Sequence, residues 1–319
     1  MLTGYYESEG VLRQCDSADR LPDAVWIDMV EPSKDEELAV EKILGIDVPS
    51  REEMKEVESS SQLYRDGDAT IMTVRLLSVT NRTMPLVIAV TFILTPQRLV
   101  TLRYADSTSF HNFVSRAEKE AGCLSSSAVA MSGLLEAIVG RTADILEQIG
   151  DELDVVSASL FTQNTEISQG IAGTDLNALL RGIGRNGDLA SRSQDSLHSI
   201  QRAIPVLQHL KEPAIAESVS ILLIDVKSLL DHAGFLSTKI QFLLDSALGL
   251  ISIQQNAIIK IFSVAAVIFL PPTLIASVYG MNFEHMPELK WLYGYPFALG
   301  LMMVSAILPY WYFKRRRWL

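Results

Sequence analysis

Two stretches of this chain stay uncharged long enough to cross a bilayer. Residues 261–279 run for 19 positions and residues 292–313 for 22 without Asp, Glu, Lys or Arg. A hydrocarbon core needs about 20 mostly apolar residues in helix, so both are predicted to span. Only about a dozen residues join them, so they are expected to form a tight hairpin. Upstream the pattern differs. Residues 24–29, 69–79, 86–94 and 98–104 are rich in Val, Ile, Leu and Thr, and polar turns separate the last three, which predicts strands of one sheet. Ser33 with Glu36, and Ser50 with Glu53, have the spacing of reciprocal helix caps, so helices are expected to start there.

From about residue 107 the apolar period becomes helical. It predicts helices over 131–161 and 175–209, with a polar, Gly-containing turn at 162–174. Glu212-Pro213 punctuates the run, and no proline follows until Pro271. Leu236, Leu243 and Leu250 fall seven apart, with Ile240, Ala247 and Gln254 on the neighbouring step, a coiled-coil-like spacing. A single helix over 214–270 would be about 85 Å long at 1.5 Å per residue and would run directly into the first span. The predicted class is an α+β membrane protein. An α/β domain occupies 1–120, a helical region with a long stalk helix 121–255, and a transmembrane hairpin 256–319.

Charge sets the orientation. Lys314, Arg315, Arg316 and Arg317 abut the end of the second span and Lys260 the start of the first, while the connecting loop holds Glu284 and Glu288 against Lys290. The positive-inside rule then puts both termini in the cytoplasm. Trp291, Tyr293 and Tyr295 fall at one interface and Tyr310, Trp311 and Tyr312 at the other, as in an aromatic belt. Of 27 basic and 38 acidic side chains, six and two lie from Asn256 onward, leaving 21 and 36 in residues 1–255: a net of +4 against −15. An acidic body of this kind repels nucleic acid, so no nucleic-acid partner is expected. It either raises the local cation concentration or is an ordinary soluble surface.

Residues 1–19 lack the basic segment and apolar core of a signal peptide, so membrane insertion is expected from the late spans. Cys15 and Cys123, isolated and without metal-ligand spacing, fit a reducing compartment. The histidines show no zinc spacing. Gly182, Gly184 and Gly187 formally match a dinucleotide fingerprint but follow a helical pattern rather than a strand. Asn81-Arg82-Thr83 is a glycosylation sequon that is silent on the cytoplasmic side. No nucleophile–base constellation is visible, so neither an enzyme nor an organic cofactor is expected.

At the mouth of the hairpin stands Tyr279-Gly280-Met281-Asn282-Phe283. With Ile258-Ile259-Lys260-Ile261-Phe262-Ser263, Leu270-Pro271-Pro272-Thr273, Met286-Pro287-Glu288-Leu289-Lys290-Trp291, Gly294-Tyr295-Pro296 and the basic tail, it resembles the CorA family of divalent-cation channels. The resemblance is dense over 255–319 and thins towards Trp26-Ile27-Asp28 and Val30-Glu31-Pro32. It implies a homopentamer in the bacterial inner membrane that passes hydrated Mg²⁺, and also Co²⁺ and Ni²⁺. It further implies gating by cytoplasmic Mg²⁺.

Two helices cannot enclose a water-filled path, so several copies must each contribute one. The first span, with Asn256, Ser263, Thr273, Ser277 and Asn282, is more polar than the second, which offers only Ser305, and is therefore the expected lining. The hydroxyls of Ser263 and Ser277 have a second use, bonding to carbonyls of their own helix. Mg²⁺ holds its waters tightly, and neither span carries a carboxylate. A ring of amide and carbonyl oxygens at Gly280, Met281 and Asn282 could bind those waters without stripping them. Gly280 permits unusual backbone conformations there, and the same Gly-Met-Asn could alternatively be a helix cap.

By resemblance, Asn256, Ile259, Phe262, Leu270 and Thr273 line the pore. Ile259, Phe262 and Leu270 would form a greasy neck that gates by dewetting. Glu284 and Glu288 either attract cations or form a solvated loop. The family's regulatory Asp near a strand end has no counterpart in Leu77-Ser78-Val79-Thr80, which leaves Asp225 and Asp231 as candidate regulatory ligands. Two rival readings are a zinc transporter of the same superfamily and a membrane-anchored sensor or scaffold without a pore.

Overall fold

The computed structural model describes residues 1–8, 10–15, 18–55, 62–78, 86–162, 176–281 and 291–316. They divide into two compact units, Met1–Leu244 and Asp245–Leu319.

The first unit is built on a seven-stranded sheet: β1 (Leu2–Ser8), β2 (Val11–Cys15), β3 (Trp26–Val30), β4 (Leu63–Asp66), β5 (Ala69–Ser78), β6 (Leu86–Leu94) and β7 (Leu99–Arg103), in the order β2-β1-β3-β7-β6-β5-β4. Only β3 and β7 pair in parallel, with Asp28 opposite Thr101. The four expected strands are present. Sequence pattern misses β1, β2 and β4, for a shared reason. They lie at or beside the sheet edges, where a strand is not obliged to show alternating burial. All four residues of β4 are exposed. Within β1, Gly4 is required by close approach, since a Cβ there would meet Cys15 Sγ at 2.7 Å.

Helix α1 (Lys34–Leu44) starts as expected. The Glu36 N–H donates to Ser33 Oγ at 3.3 Å and the Ser33 N–H donates to Glu36 Oε2 at 2.8 Å. Ser50 and Glu53 make the same reciprocal bonds, at 2.7 and 3.3 Å, but what is described after them is only a 3-10 turn, Glu53–Lys55. The residues that would continue that helix, 56–61, lie outside the described set, as do residues 163–174 of the turn expected at 162–174, the sequon at Asn81, and Val79 and Thr80.

Alternation along the strands separates two cores. On one face Ile27, Met29, Ile71, Ile93, Val100 and Leu102 pack with Val40 of α1 and with Leu21 and Met54. On the other, Trp26 stacks on Tyr5 at 4.5 Å and meets the edge of Phe113 at 5.4 Å, bringing in helix α2 (Thr108–Ala117). The same face buries an ion pair. Arg103 Nη2 lies 2.8 Å from Asp28 Oδ2, with both side chains about 95% buried (5% and 6% exposed). Arg103 Nε donates to Asp28 Oδ1 at 3.3 Å, and the Thr101 hydroxyl donates to that oxygen at 2.7 Å. The guanidinium also covers the Phe110 ring at 4.6 Å.

Helices α3 (Ser127–Thr162) and α4 (Leu176–His209) follow, close to the predicted ranges. Gly182, Gly184 and Gly187 sit inside α4, which removes the dinucleotide reading. Because β4 pairs only with residues 69–72 of β5, the N–H groups further along that edge need other partners. Arg75 N–H donates to Ser199 Oγ at 2.9 Å and Leu77 N–H to Ser196 Oγ at 3.4 Å. A helix thus closes an edge that would otherwise offer unpaired backbone.

Helix α5 (Pro213–Tyr279) is continuous over 67 residues, with Pro213 at its first position, where a missing N–H costs nothing. Inside the first unit it buries Ile215, Val219, Leu222, Val226, Ala233, Leu236 and Leu243 at steps of three, four and seven residues, so the heptad-like spacing starts well before Leu236. Lys239 Nζ reaches Asp154 of α3 at 2.8 Å, and Phe242 stacks on Phe161 at 6.0 Å. The second unit contains the end of α5 and helix α6 (Gly294–Arg315).

Candidate functional site

The stalk helix, expected to run from about residue 214 to 270 and directly into the first span, does so. The helix runs through Pro271 and Pro272 to Tyr279. Each proline removes one donor, so the carbonyls of Val267 and Ile268 lose their i+4 partners while the helical φ is retained. Such carbonyls need partners of another kind at membrane depth. Next along the helix, the Thr273 hydroxyl donates to the Phe269 carbonyl at 2.7 Å.

Both apolar helices satisfy the length and composition of a membrane span, and only 6% of each apolar window is buried in the protomer. A soluble core helix would be covered. In α5, Asn256, Ile259, Phe262, Leu270 and Thr273 are all exposed. At 100° per residue they and Gly280 fall within an arc of about 120°. Val264 is the one buried side chain over 261–279, at 3% exposure. It lies about 140° round from the centre of that arc. The candidate lining residues therefore share one free face, roughly opposite the point where α5 is covered.

At the end of α5, the Gly280 N–H donates to the Ala276 carbonyl at 2.9 Å and the Met281 N–H to the Val278 carbonyl at 3.3 Å. Gly280 is not among the residues with positive φ. It does not use the left-handed conformation of a glycine cap, and so extends the helical direction up to the turn. A Cβ at Gly280 would lie 3.1 Å from the Ala276 carbonyl oxygen. Asn282, Glu284 and Glu288 lie outside the described residues.

The two candidate regulatory carboxylates are both exposed, but the protomer does not bring them together. Six residues apart, they point about 120° from each other around α5. Asp225 lines a groove of about 530 Å³ with Glu136, Gly140, Ser218 and Ser228. Glu136 is already paired with Arg116, 3.2 Å away. Among the described residues, no group of three or more His, Cys, Asp or Glu side chains could hold a metal ion. Sequence reasoning missed the Asp28–Arg103 pair. Its signal was an acid and a base inside otherwise apolar strand patterns.

An α/β body followed by one very long helix, a Gly-Met turn and a second apolar helix defines a two-span membrane protein. The chain belongs to the CorA family. The family described as "CorA-like Mg2+ transporter protein" matches residues 23–315. The magnesium transport protein CorA of Salmonella typhimurium is 35% identical over 308 residues, covering 96% of this chain and 95% of that protein. The protein of the same name from Escherichia coli is 35% identical over 301 residues, covering 94% and 93%. The complete structure of a CorA magnesium transporter from Methanocaldococcus jannaschii shares the fold, with a TM-score of 0.76 at 20% identity over 100% of this chain and 99% of that one. Members of this family are transporters rather than enzymes.

Proposed function

We propose that this chain is one subunit of a homopentameric channel that carries hydrated Mg²⁺, and also Co²⁺ and Ni²⁺, across the bacterial inner membrane. The observation that carries this reading is that Asn256, Ile259, Phe262, Leu270, Thr273 and Gly280 are all exposed and fall within one arc of about 120° on α5. A membrane-anchored sensor or scaffold has no use for Asn256 and Thr273 on the same face as Gly280. Relatives named for magnesium transport over nearly the whole chain favour Mg²⁺ over the zinc alternative. Both termini are assigned to the cytoplasm, with the chain divided at 1–120, 121–255 and 256–319. No organic cofactor is assigned. Flux into liposomes, with Mg²⁺ and Zn²⁺ compared, tests the assignment. Zn²⁺ flux without Mg²⁺ flux would select the zinc transporter, and flux of neither the scaffold.

In this reading Gly280, Met281 and Asn282 form the outer ring, which holds the ion through its waters. Ile259, Phe262 and Leu270 form the neck. Glu284 and Glu288 draw cations toward the mouth, an effect screened over about 8 Å at physiological salt. One helix per subunit can enclose a path only in a closed ring, and cyclic contacts permit any copy number. The expected result is a mass of five chains in mild detergent. A monomer or dimer that still conducts in liposomes would remove the architecture.

Gating is assigned to cytoplasmic Mg²⁺ bound between subunits. Asp225 and Asp231 point apart, and Asp225 has only the already paired Glu136 among its groove carboxylates, so any site they form needs a neighbouring chain. Mg²⁺ there would offset the repulsion of facing acidic bodies and favour the closed ring. It can do so only by binding that state more tightly. Protease protection of the cytoplasmic body is expected to rise with Mg²⁺ in the wild type and not in the Asp225→Ala/Asp231→Ala double variant. Equal protection at zero and tens of millimolar Mg²⁺ in the wild type would show no such coupling.

A further inference from the structure

The end of α6 carries a repeated arrangement of cations and aromatic rings. Lys314 Nζ sits 5.8 Å from the Tyr310 ring centre, the Arg315 guanidinium 5.5 Å from Trp311, and that of Arg316 5.9 Å from Tyr312. Three consecutive cations thus each lie over an aromatic ring one turn back. The rings stay exposed, at 46%, 59% and 56%. Helix α6 contains no Asp or Glu. Among the described residues, none of the three cations has a carboxylate within salt-bridge distance. Among the described residues, their charge has no acidic partner where the apolar helix ends.

We propose that this collar binds the headgroups of acidic phospholipids. The arrangement around the helix decides between a lipid and a protein partner. A partner helix or groove reads one stripe of a helix, whereas these six side chains cover an arc of about 240° at 100° per residue. Headgroups surround a helix in that way. Tyr and Trp favour the depth where acyl chains meet headgroups. A cation held over such a ring is drawn in from bulk water to the same depth. A ring and a cation one turn apart therefore present an apolar plate to the acyl boundary and a positive charge to the phosphate. A zwitterionic headgroup offers the phosphate with its own cation beside it. An acidic headgroup supplies the missing negative charge. Each basic side chain at an acidic surface multiplies affinity by about fivefold, so three set a ceiling on the order of a hundredfold.

The test is native mass spectrometry of the full-length protein in mild detergent, titrated with phosphatidylglycerol or with phosphatidylcholine of the same acyl chains. The wild type is expected to hold phosphatidylglycerol at least about tenfold more tightly. Lys314→Gln/Arg315→Gln/Arg316→Gln is expected to remove that preference. Tyr310→Leu/Trp311→Leu/Tyr312→Leu, which keeps all the charge, is expected to reduce it severalfold. Equal affinity of the wild type for both lipids overturns the proposal, as does a preference that survives the triple Gln change. If the triple Gln variant fails to insert, the ring variant and the wild type in high salt decide. A preference unchanged by either overturns it. Mg²⁺ flux is recorded separately, so loss of lipid preference with normal flux leaves the channel reading intact.

Discussion

Asn282→Ala will lower Mg²⁺ uptake by at least about tenfold while the ring still assembles. The expectation rests on the charge inventory of the spans. Neither apolar run contains a carboxylate, the side chain through which proteins usually enter the coordination shell of Mg²⁺. In the proposed channel the ion is recognised hydrated, through neutral oxygens that accept hydrogen bonds from its waters. Asn282 follows directly after the turn that ends α5, and Gly280 keeps the helical direction to that point. Alanine there removes the amide from every subunit at once and leaves backbone carbonyls alone to hold the shell. The measurement is Mg²⁺ flux into liposomes, with assembly checked by mass in detergent. A stable hexaammine cation of similar size is expected to block the wild type from outside. Normal flux through an assembled Asn282→Ala ring would falsify the filter assignment. Absence of block would argue against recognition of an intact hydration shell.

Arg103→Met will loosen the centre of the sheet by about 3–5 kcal/mol. It leaves the Asp28 carboxylate about 94% buried with, among the described residues, only the Thr101 hydroxyl directed at it. Such a charge costs far more unpaired than the pair contributes intact, because desolvation has already been incurred on both sides. Removing both charges, with Asp28→Leu and Arg103→Met, should therefore recover most of the loss. A two-unit membrane chain does not unfold in one step, so the readout is local. Hydrogen exchange at β3 and β7 in the full-length protein is expected to accelerate on the order of a hundredfold or more in the single variant. Unchanged protection would show that the pair carries no local stability.

The same network has a pH dependence of known sign. Burial alone would raise the Asp106 carboxyl, but the Ser107 N–H, the Arg103 guanidinium and His111 outweigh it and hold Asp106 below the usual Asp range. Its contribution is thus complete above the unfolded-state value and is lost as the pH falls through the folded one. The difference between wild type and Arg103→Met should narrow in acid accordingly.

Much of this protein is determined locally. An uncharged run of 19 or 22 residues has only one economical conformation in lipid, so the spans and their hairpin are legible without a structure. Reciprocal Ser–Glu spacing determined the start of α1, and alternating Val, Ile and Thr determined the central strands. The Gly-Met-Asn turn in its setting was enough to point to the family. What the chain order does not contain is decided by contacts between distant residues. The edge strands β2 and β4 are shaped by their neighbours rather than by their own pattern. Asp28 and Arg103 meet only because β3 and β7 pair in parallel across 75 positions of sequence. Ser196 and Ser199 look like ordinary helix polar residues until the unpaired edge of β5 requires acceptors.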